Sequence, residues 1–435
     1  MRLTMSPFLS TWLVRPNWVL ADQIIVSGSK FASGVLVARF LGPEMFGGFV
    51  LMQMAQIYAT GCQSALVINP MLVGAPRLEG AEREHYLSGM FALQIVLSLV
   101  LSVSLVMVAF AWRQLSTHAN PELTQANGLT ALIAAMVTFQ FQDWQRRCFF
   151  ATGRSRGALG IDSVNYLLLL LLLGGVGQAG FLSVSRVFWI MALASSASFF
   201  AGHAVNRIRP SYRHGLAALR REVKACFDYL LSWQIMWVGT QGAFLIGTGF
   251  LGHQAIGGIR ATQNMMGPFN AMYQALDNVI PVSAANHYRK AGKAAVVSYL
   301  RSVTLRGTVV LVPIVAAIVL LGEPLTKWLY GASYLAFASL LSWQGVYILS
   351  QFYVGQLYYF FRVVSATRSI FISCCVVAIV STAMTFWCAQ RYGATGVLVA
   401  LVCGNLSGLG CAFLLAAARV RQSESSRLVS STEPT

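Results

Sequence analysis

The sequence predicts an all-α polytopic membrane protein of about twelve transmembrane helices, arranged as two six-helix bundles related by an internal repeat. Composition is the first observation: of 435 residues 56% are apolar and only 10% charged, with a mean hydropathy of +0.63, whereas soluble domains carry roughly 25% charged residues. The second is that apolar stretches of roughly 20 residues, enough to cross about 30 Å of hydrocarbon as helix, recur along the whole chain. The third is a phrase written twice. Phe40-Leu41-Gly42 followed by Gly47-Gly48 reappears as Phe250-Leu251-Gly252 followed by Gly257-Gly258, close to half a chain length later.

Taken in order, the spans fall near 18–40, 45–68, 87–111, 127–148, 158–180 and 185–205, then near 226–249, 255–281, 299–321, 336–360, 369–389 and 394–418. The first and eighth are the weakest, diluted by Lys30 and by the polar run from Asn264 to Asn278. Asp22, Lys30 and Arg39 interrupt the first apolar stretch, and no small-residue cleavage site follows a compact apolar core, so it is expected to be a retained span. All eight cysteines fall in or at the edge of spans, which points to packing and against a disulfide framework. The twice-written phrase marks the outer turn between the first two helices of each half, where Gly47-Gly48 and Gly257-Gly258 permit close helix approach.

Charge sets the orientation. With the N-terminus inside, Arg2, Arg15, Arg146, Arg147, Arg154, Arg156, the basic run from Arg207 to Lys224, Arg289, Lys290 and Lys293 all fall on inner segments, as do Arg362, Arg368, Arg419 and Arg421. Outer ends hold only Arg39, Arg113, Arg186, Arg260, Lys327 and Arg391. This is the positive-inside pattern with both termini cytoplasmic. The net charge of +17 then reads as topology and contact with anionic lipid headgroups, not as nucleic-acid binding. The organisation that follows is an N-terminal bundle over 1–205, a basic cytoplasmic linker over 206–225, a C-terminal bundle over 226–418 and a disordered cytoplasmic tail over 419–435. The longest outer loop carries Glu323-Pro324-Leu325-Thr326-Lys327-Trp328-Leu329-Tyr330-Gly331, read as a short interfacial helix with Trp328 and Tyr330 at headgroup level.

The segment Ala38-Arg39-Phe40-Leu41-Gly42-Pro43-Glu44-Met45-Phe46-Gly47 resembles the opening of the Wzx-type polysaccharide flippases. Similar stretches follow at Arg146-Arg147 with Phe150-Ala151-Thr152-Gly153-Arg154, at Gly322-Glu323-Pro324 through Tyr330-Gly331, and at Gly393-Ala394-Thr395-Gly396. The resemblance runs from about residue 20 to 418. It implies membership of the multidrug/oligosaccharidyl-lipid/polysaccharide (MOP) exporter superfamily: two six-helix bundles around a central cavity, turning undecaprenyl-pyrophosphate-linked oligosaccharide from the cytoplasmic to the periplasmic leaflet of the bacterial inner membrane by alternating access. The implied partners are that lipid-linked substrate, anionic membrane lipids and a polysaccharide polymerase with its export machinery.

Such a substrate asks for cations, hydrogen-bonding groups and aromatic faces within the membrane. Lys30 is the leading candidate, because a charge near the middle of a span costs at least about 2.5 kcal/mol unless it meets a partner or a wet cavity. Arg306, about two turns inside span nine, either serves the substrate or snorkels to the cytoplasmic face. Arg39 and Arg260 flank the two copies of the repeated phrase and are candidates for the pyrophosphate, with simple solvation the alternative. None of these charges is duplicated by the repeat, which separates them from scaffold. Asp22, Asp162 and Asp228 sit near helix starts and read as dipole partners, and Asp143 precedes Arg147 by four, the spacing of an ion pair. Asp277 remains as the candidate for ion coupling. Gln140, Gln142, Asn165 and Gln351 either line a sugar path or bond between helices.

Catalytic motifs are lacking. Gly153-Arg154-Ser155-Arg156-Gly157 spells a nucleophile elbow in a basic inner loop, without the strand-turn-helix setting that exposes a nucleophile. No phosphate-binding loop and no His-Glu-x-x-His pair occurs, so neither enzyme activity nor a cofactor nor a metal is expected. The competing readings are a cation-coupled multidrug exporter of the same superfamily, which favours a carboxylate-dominated cavity, and a membrane glycan polymerase or ligase, which needs a large outer catalytic loop.

Overall fold

The computed structural model describes residues 18–115 and 126–430. Arg2 and Arg15 of the expected inner N-terminal segment, and residues 431–435 of the expected tail, lie outside the described residues. All regular structure among the described residues is helical. The helices are α1 (Trp18–Gln63), continued by a π turn (Ser64–Ile68) into α2 (Asn69–Gly74), then α3 (Gly80–Leu115), α4 (Ala126–Ala151), α5 (Ser155–Gln178) and α6 (Val184–Asn206). They are followed by α7 (Tyr212–Met265), α8 (Gly267–Leu320), the short α9 (Gly322–Tyr330), α10 (Leu340–Val363) and α11 (Thr367–Ser430).

Four of these helices are broken inside. The breaks fall at Gly42 in α1, Gly252 in α7, Ala291-Gly292 in α8 and Gly393 in α11. Read with the breaks, and with 253–265 and 267–290 taken together as one span across Met266, they give the twelve spans expected, close to the expected positions. Gly42 (φ 74°, ψ 170°) and Gly252 (φ 75°, ψ −179°) adopt the same conformation at the same place in the repeated phrase, in a region of backbone space essentially closed to other residues. The repeated glycine is therefore the turn itself.

The chain divides into two compact units: the described residues up to Leu41 with Leu51–Trp233, and Gly42–Val50 with Gln234 onward. In the first, α4 packs chiefly against α6, and Met71, Phe91, Trp144 and Cys148 build the core, the Phe91 and Trp144 rings stacking at 4.4 Å. In the second, α10 packs between α8 and α11 over Ile280, Ala284, Phe361 and Ala412. Large apolar side chains face outward along α3 (Leu99, Val103, Met107, Phe110) and α8 (Leu305, Val309, Leu320), the surface of a chain whose solvent is lipid. The protein is a multi-pass membrane protein.

Seven helical stretches among the described residues are long and apolar enough to qualify as spans by composition alone. The two full-length helices missing from them are α4 and α10, of 26 and 24 residues, or roughly 39 and 36 Å at about 1.5 Å per residue. These are the fourth span of each half. Polar residues dilute both: Gln140, Gln142, Asp143 and Gln145 are buried in α4, and Gln344, Ser350 and Gln356 in α10. The fourth span of each half is thus polar as well, which a helix packed among other helices tolerates because it meets little lipid.

Within 206–225, Arg207 closes α6 in a left-handed conformation (φ 50°), residues 207–211 are non-helical, and α7 begins at Tyr212. Helix α11 runs on to Ser430, with no glycine or proline after Gly410 to end it. In α9, Trp328 faces outward as expected, but Tyr330 is buried and its hydroxyl accepts a hydrogen bond from Asn264 Nδ2 at 3.2 Å. Residues two apart on a helix cannot share a face.

Candidate functional site

In the first unit, three helices each bring a carboxylate to one arginine. Arg146 Nη2 meets Asp22 Oδ2 of α1 at 2.6 Å, Nε meets Asp162 Oδ2 of α5 at 2.5 Å, and Nη1 lies 4.0 Å from Asp143 Oδ1 on its own helix, α4. The guanidinium also stacks 5.3 Å from the Phe150 ring centroid. Arg147 takes Asp143 at 3.3 Å, the i, i+4 pair expected from the spacing. Gln142 Nε2 donates to Asp162 Oδ1 at 2.7 Å. Asp22 and Asp162 are fully buried. Their reading as dipole partners is therefore incomplete: both stand near helix starts, yet their side chains are spent on Arg146.

Lys30 lies about two turns along α1 from Asp22. Its charge is felt together with those of Arg146, Asp143, Arg147 and Asp162, so it belongs to the same neighbourhood. Its side chain is exposed, and it makes no hydrogen bond or ion pair with a described residue. An accessible ammonium is thus left without a counter-ion beside carboxylates that are all engaged.

The second unit holds a different arrangement. Arg260 lies over the Phe244 ring, 4.2 Å from its centroid, and donates through Nη1 to Gln263 Oε1 at 2.7 Å and through Nη2 to Gln241 Oε1. Its Nε has no partner, and no described carboxylate pairs with it. Tyr347 of α10 lies within its field and is hydrogen-bonded to Gln351. This is a guanidinium dressed by neutral amides and an aromatic face, the chemistry of an anion site.

The other expected residues fall elsewhere. Arg39 is exposed in the last turn before Gly42. Arg306 is exposed on α8, with no hydrogen bond or ion pair to a described residue. Asp277 pairs with Arg362 at 3.1 Å with both side chains about half exposed, and Tyr359 also bonds to it. Gln140 is an interhelical fastener: its Oε1 accepts from Ser98 Oγ at 2.7 Å, its Nε2 donates to the Ala59 carbonyl at 3.2 Å, and its own carbonyl accepts from Gln63 Nε2 at 2.7 Å. A groove of about 510 Å³ lies among Thr304, Tyr353, Gln356, Leu409 and Phe413 of the second unit, an ordinary volume for a ligand pocket. No group of three described His, Cys, Asp or Glu residues is arranged to hold a metal ion.

The sequence signature described as "Polysaccharide biosynthesis protein" matches residues 36–339. The chain belongs to the polysaccharide biosynthesis protein family. No curated protein matches it. Solved structures similar to this polysaccharide biosynthesis protein include an inward-facing multidrug resistance MATE family transporter of the MOP superfamily, at TM-score 0.70 and 15% identity, covering 93% of this chain and 96% of the other. The lipid II flippase MurJ in an inward closed conformation matches at TM-score 0.69 and 12% identity, covering 92% and 87%. A MOP superfamily transporter from Pyrococcus furiosus matches at 0.61 and 15%, covering 93% and 94%. At these identities the likeness shows the fold: the family member has the fold of these MOP superfamily transporters.

Within this polysaccharide biosynthesis protein the Asp277–Arg362 pair is open to solvent, and exposed pairs are worth about 0–1 kcal/mol. Asp277→Asn is expected to leave stability in detergent within about 1 kcal/mol of the parent. If Asp277 serves ion coupling, export stops in that variant all the same. Normal export at normal protein level would remove Asp277 from the mechanism.

Proposed function

We propose that the protein is a flippase of the bacterial inner membrane, with both termini cytoplasmic. It turns undecaprenyl-pyrophosphate-linked oligosaccharide repeat units from the cytoplasmic to the periplasmic leaflet by alternating access, upstream of a polysaccharide polymerase and export machinery. The observation that carries this reading is Arg260, a guanidinium near the outer end of the eighth span that meets an aromatic ring and two amides but, among the described residues, no carboxylate. A charge so placed points to a function, and a guanidinium without a carboxylate suits an anion. Lys30 supplies a second cation without a counter-ion, and Arg39 and Arg306 are proposed to contact the same substrate nearer the span ends.

A cation-coupled drug exporter is disfavoured, because the carboxylates gathered in the first unit, Asp22, Asp143 and Asp162, are already engaged by Arg146 and Arg147. The deciding experiment is deletion of the gene followed by analysis of lipid-linked sugars on each leaflet. Complete repeat units are expected to accumulate on the cytoplasmic side; unchanged glycans with altered drug sensitivity would sink the proposal. Arg260→Gln should cut export at least tenfold, one charge-assisted contact of about 1.5–3 kcal/mol being lost, with normal protein level. Export at the parental rate in Arg260→Gln would remove it from the substrate site.

A further inference from the structure

The arrangement around Arg146 poses a physical question: why does Lys30, an ammonium within the field of Asp143 and Asp162, pair with neither? The answer lies in the guanidinium. Arg146 points three different nitrogens at carboxylates from α1, α4 and α5. A planar fork with five donors serves several acceptors at once, whereas an ammonium on a flexible stem acts as a point charge. Gln142 closes the remaining oxygen of Asp162, and Arg147 takes Asp143. Asp22 Oδ1 has no hydrogen-bond partner among the described residues, an acceptor left open for another cation if Arg146 is withdrawn.

We infer that Arg146 is a positioning residue: by engaging Asp22, Asp143 and Asp162 it keeps them off Lys30, so that the Lys30 ammonium stays free to bind the anionic headgroup of the substrate. This rests on the anion-binding reading of Lys30 given above. Without Arg146, the freed carboxylates capture Lys30 and cancel the charge an anion needs. Arg146 acts through Lys30, not on the substrate.

The test reads Lys30 directly. The full-length protein in lipid nanodiscs is treated with a water-soluble amine-acetylating reagent, and acetylation of Lys30 is followed by mass spectrometry relative to exposed Lys290. A salt-bridged ammonium gives up its proton reluctantly and reacts slowly. Arg146→Gln should therefore slow Lys30 acetylation at least tenfold relative to Lys290, and Arg146→Gln combined with Asp22→Asn and Asp162→Asn should restore it to within about threefold of the parent. A purely structural role predicts no such recovery at one lysine. Arg146→Lys, which keeps a charge but cannot span three carboxylates, should fall between; it supplies the measurement if Arg146→Gln does not yield a monodisperse protein.

Lys30 acetylation unchanged in both Arg146 variants, or equally slow in the triple variant, would overturn the inference. Inorganic pyrophosphate provides the separate control. It should protect Lys30 in the parent. Failure of protection, with the Arg146 contrast intact, would overturn the anion reading while leaving the engagement of the carboxylates by Arg146 standing.

Discussion

Lys30→Ala abolishes export of the lipid-linked glycan while the protein accumulates at its normal level. The expectation has two independent parts. The Lys30 side chain makes no hydrogen bond or ion pair with a described residue, so truncation breaks no polar side-chain contact and removes a charge from a span, which does not destabilise the fold. On the proposed reading, export falls because the cation closest to the middle of the first span is gone and the remaining charges of its neighbourhood are already paired. Lys30→Arg, which keeps the charge, should retain a measurable fraction of export, and Lys30→Gln should behave as Lys30→Ala. The check is periplasmic glycan per unit of membrane protein in a deletion strain carrying each variant. A fully active Lys30→Ala protein would remove Lys30 from the substrate site.

Gly257→Val prevents stable folding. Within the second unit, to which residues 42–50 belong, the two copies of the repeated phrase pack on each other. A Cβ at Gly257 would stand 2.0 Å from the Pro43 carbonyl oxygen, and one at Gly47 would stand 1.8 Å from the carbonyl oxygen of His253. Both obstacles are backbone, so no rotamer change relieves them and the helices must part. The cost is expected at or beyond the top of the usual range for overpacking, about 3 kcal/mol. The matched control is Gly410→Ala, where an added methyl meets open space and the gain in helix propensity is about 0.5–1 kcal/mol. Thermal denaturation in detergent should show Gly257→Val strongly destabilised and Gly410→Ala at or above the parent. Equal stability of Gly257→Val and the parent would show that the crossing is looser than the helices here place it.

Much of the fold was legible because membrane insertion imposes length and hydropathy on every lipid-facing segment, so the spans could be laid out from apolar runs alone. Where that rule relaxes, in α4 and α10, length held while hydropathy did not. The Asp143–Arg147 pair was legible because its spacing is local. The convergence of Asp22 and Asp162 on Arg146 was not: these residues are far apart in sequence and lie on three helices, and each taken alone has an adequate local explanation at a helix start. A signal was available in α4, where Gln140, Gln142, Asp143, Gln145 and Arg146 crowd a span that should be apolar. Polar density inside a span is a better pointer to a site than a single charge.

The sequence by itself determined the class of molecule, the number of spans and the place of the repeat, since each follows from local composition and period. It also singled out Lys30 and Arg260 as charges that the repeat fails to duplicate. The tertiary structure alone decided how they differ. Arg260 is held by Phe244, Gln241 and Gln263. Lys30 is left free because Arg146 holds the neighbouring carboxylates. It also decided what the repeated glycines do: Gly42 and Gly252 make the turn, and Gly47 and Gly257 let the copies touch. Which charge meets which is a matter of distances between helices, and a sequence does not carry those distances.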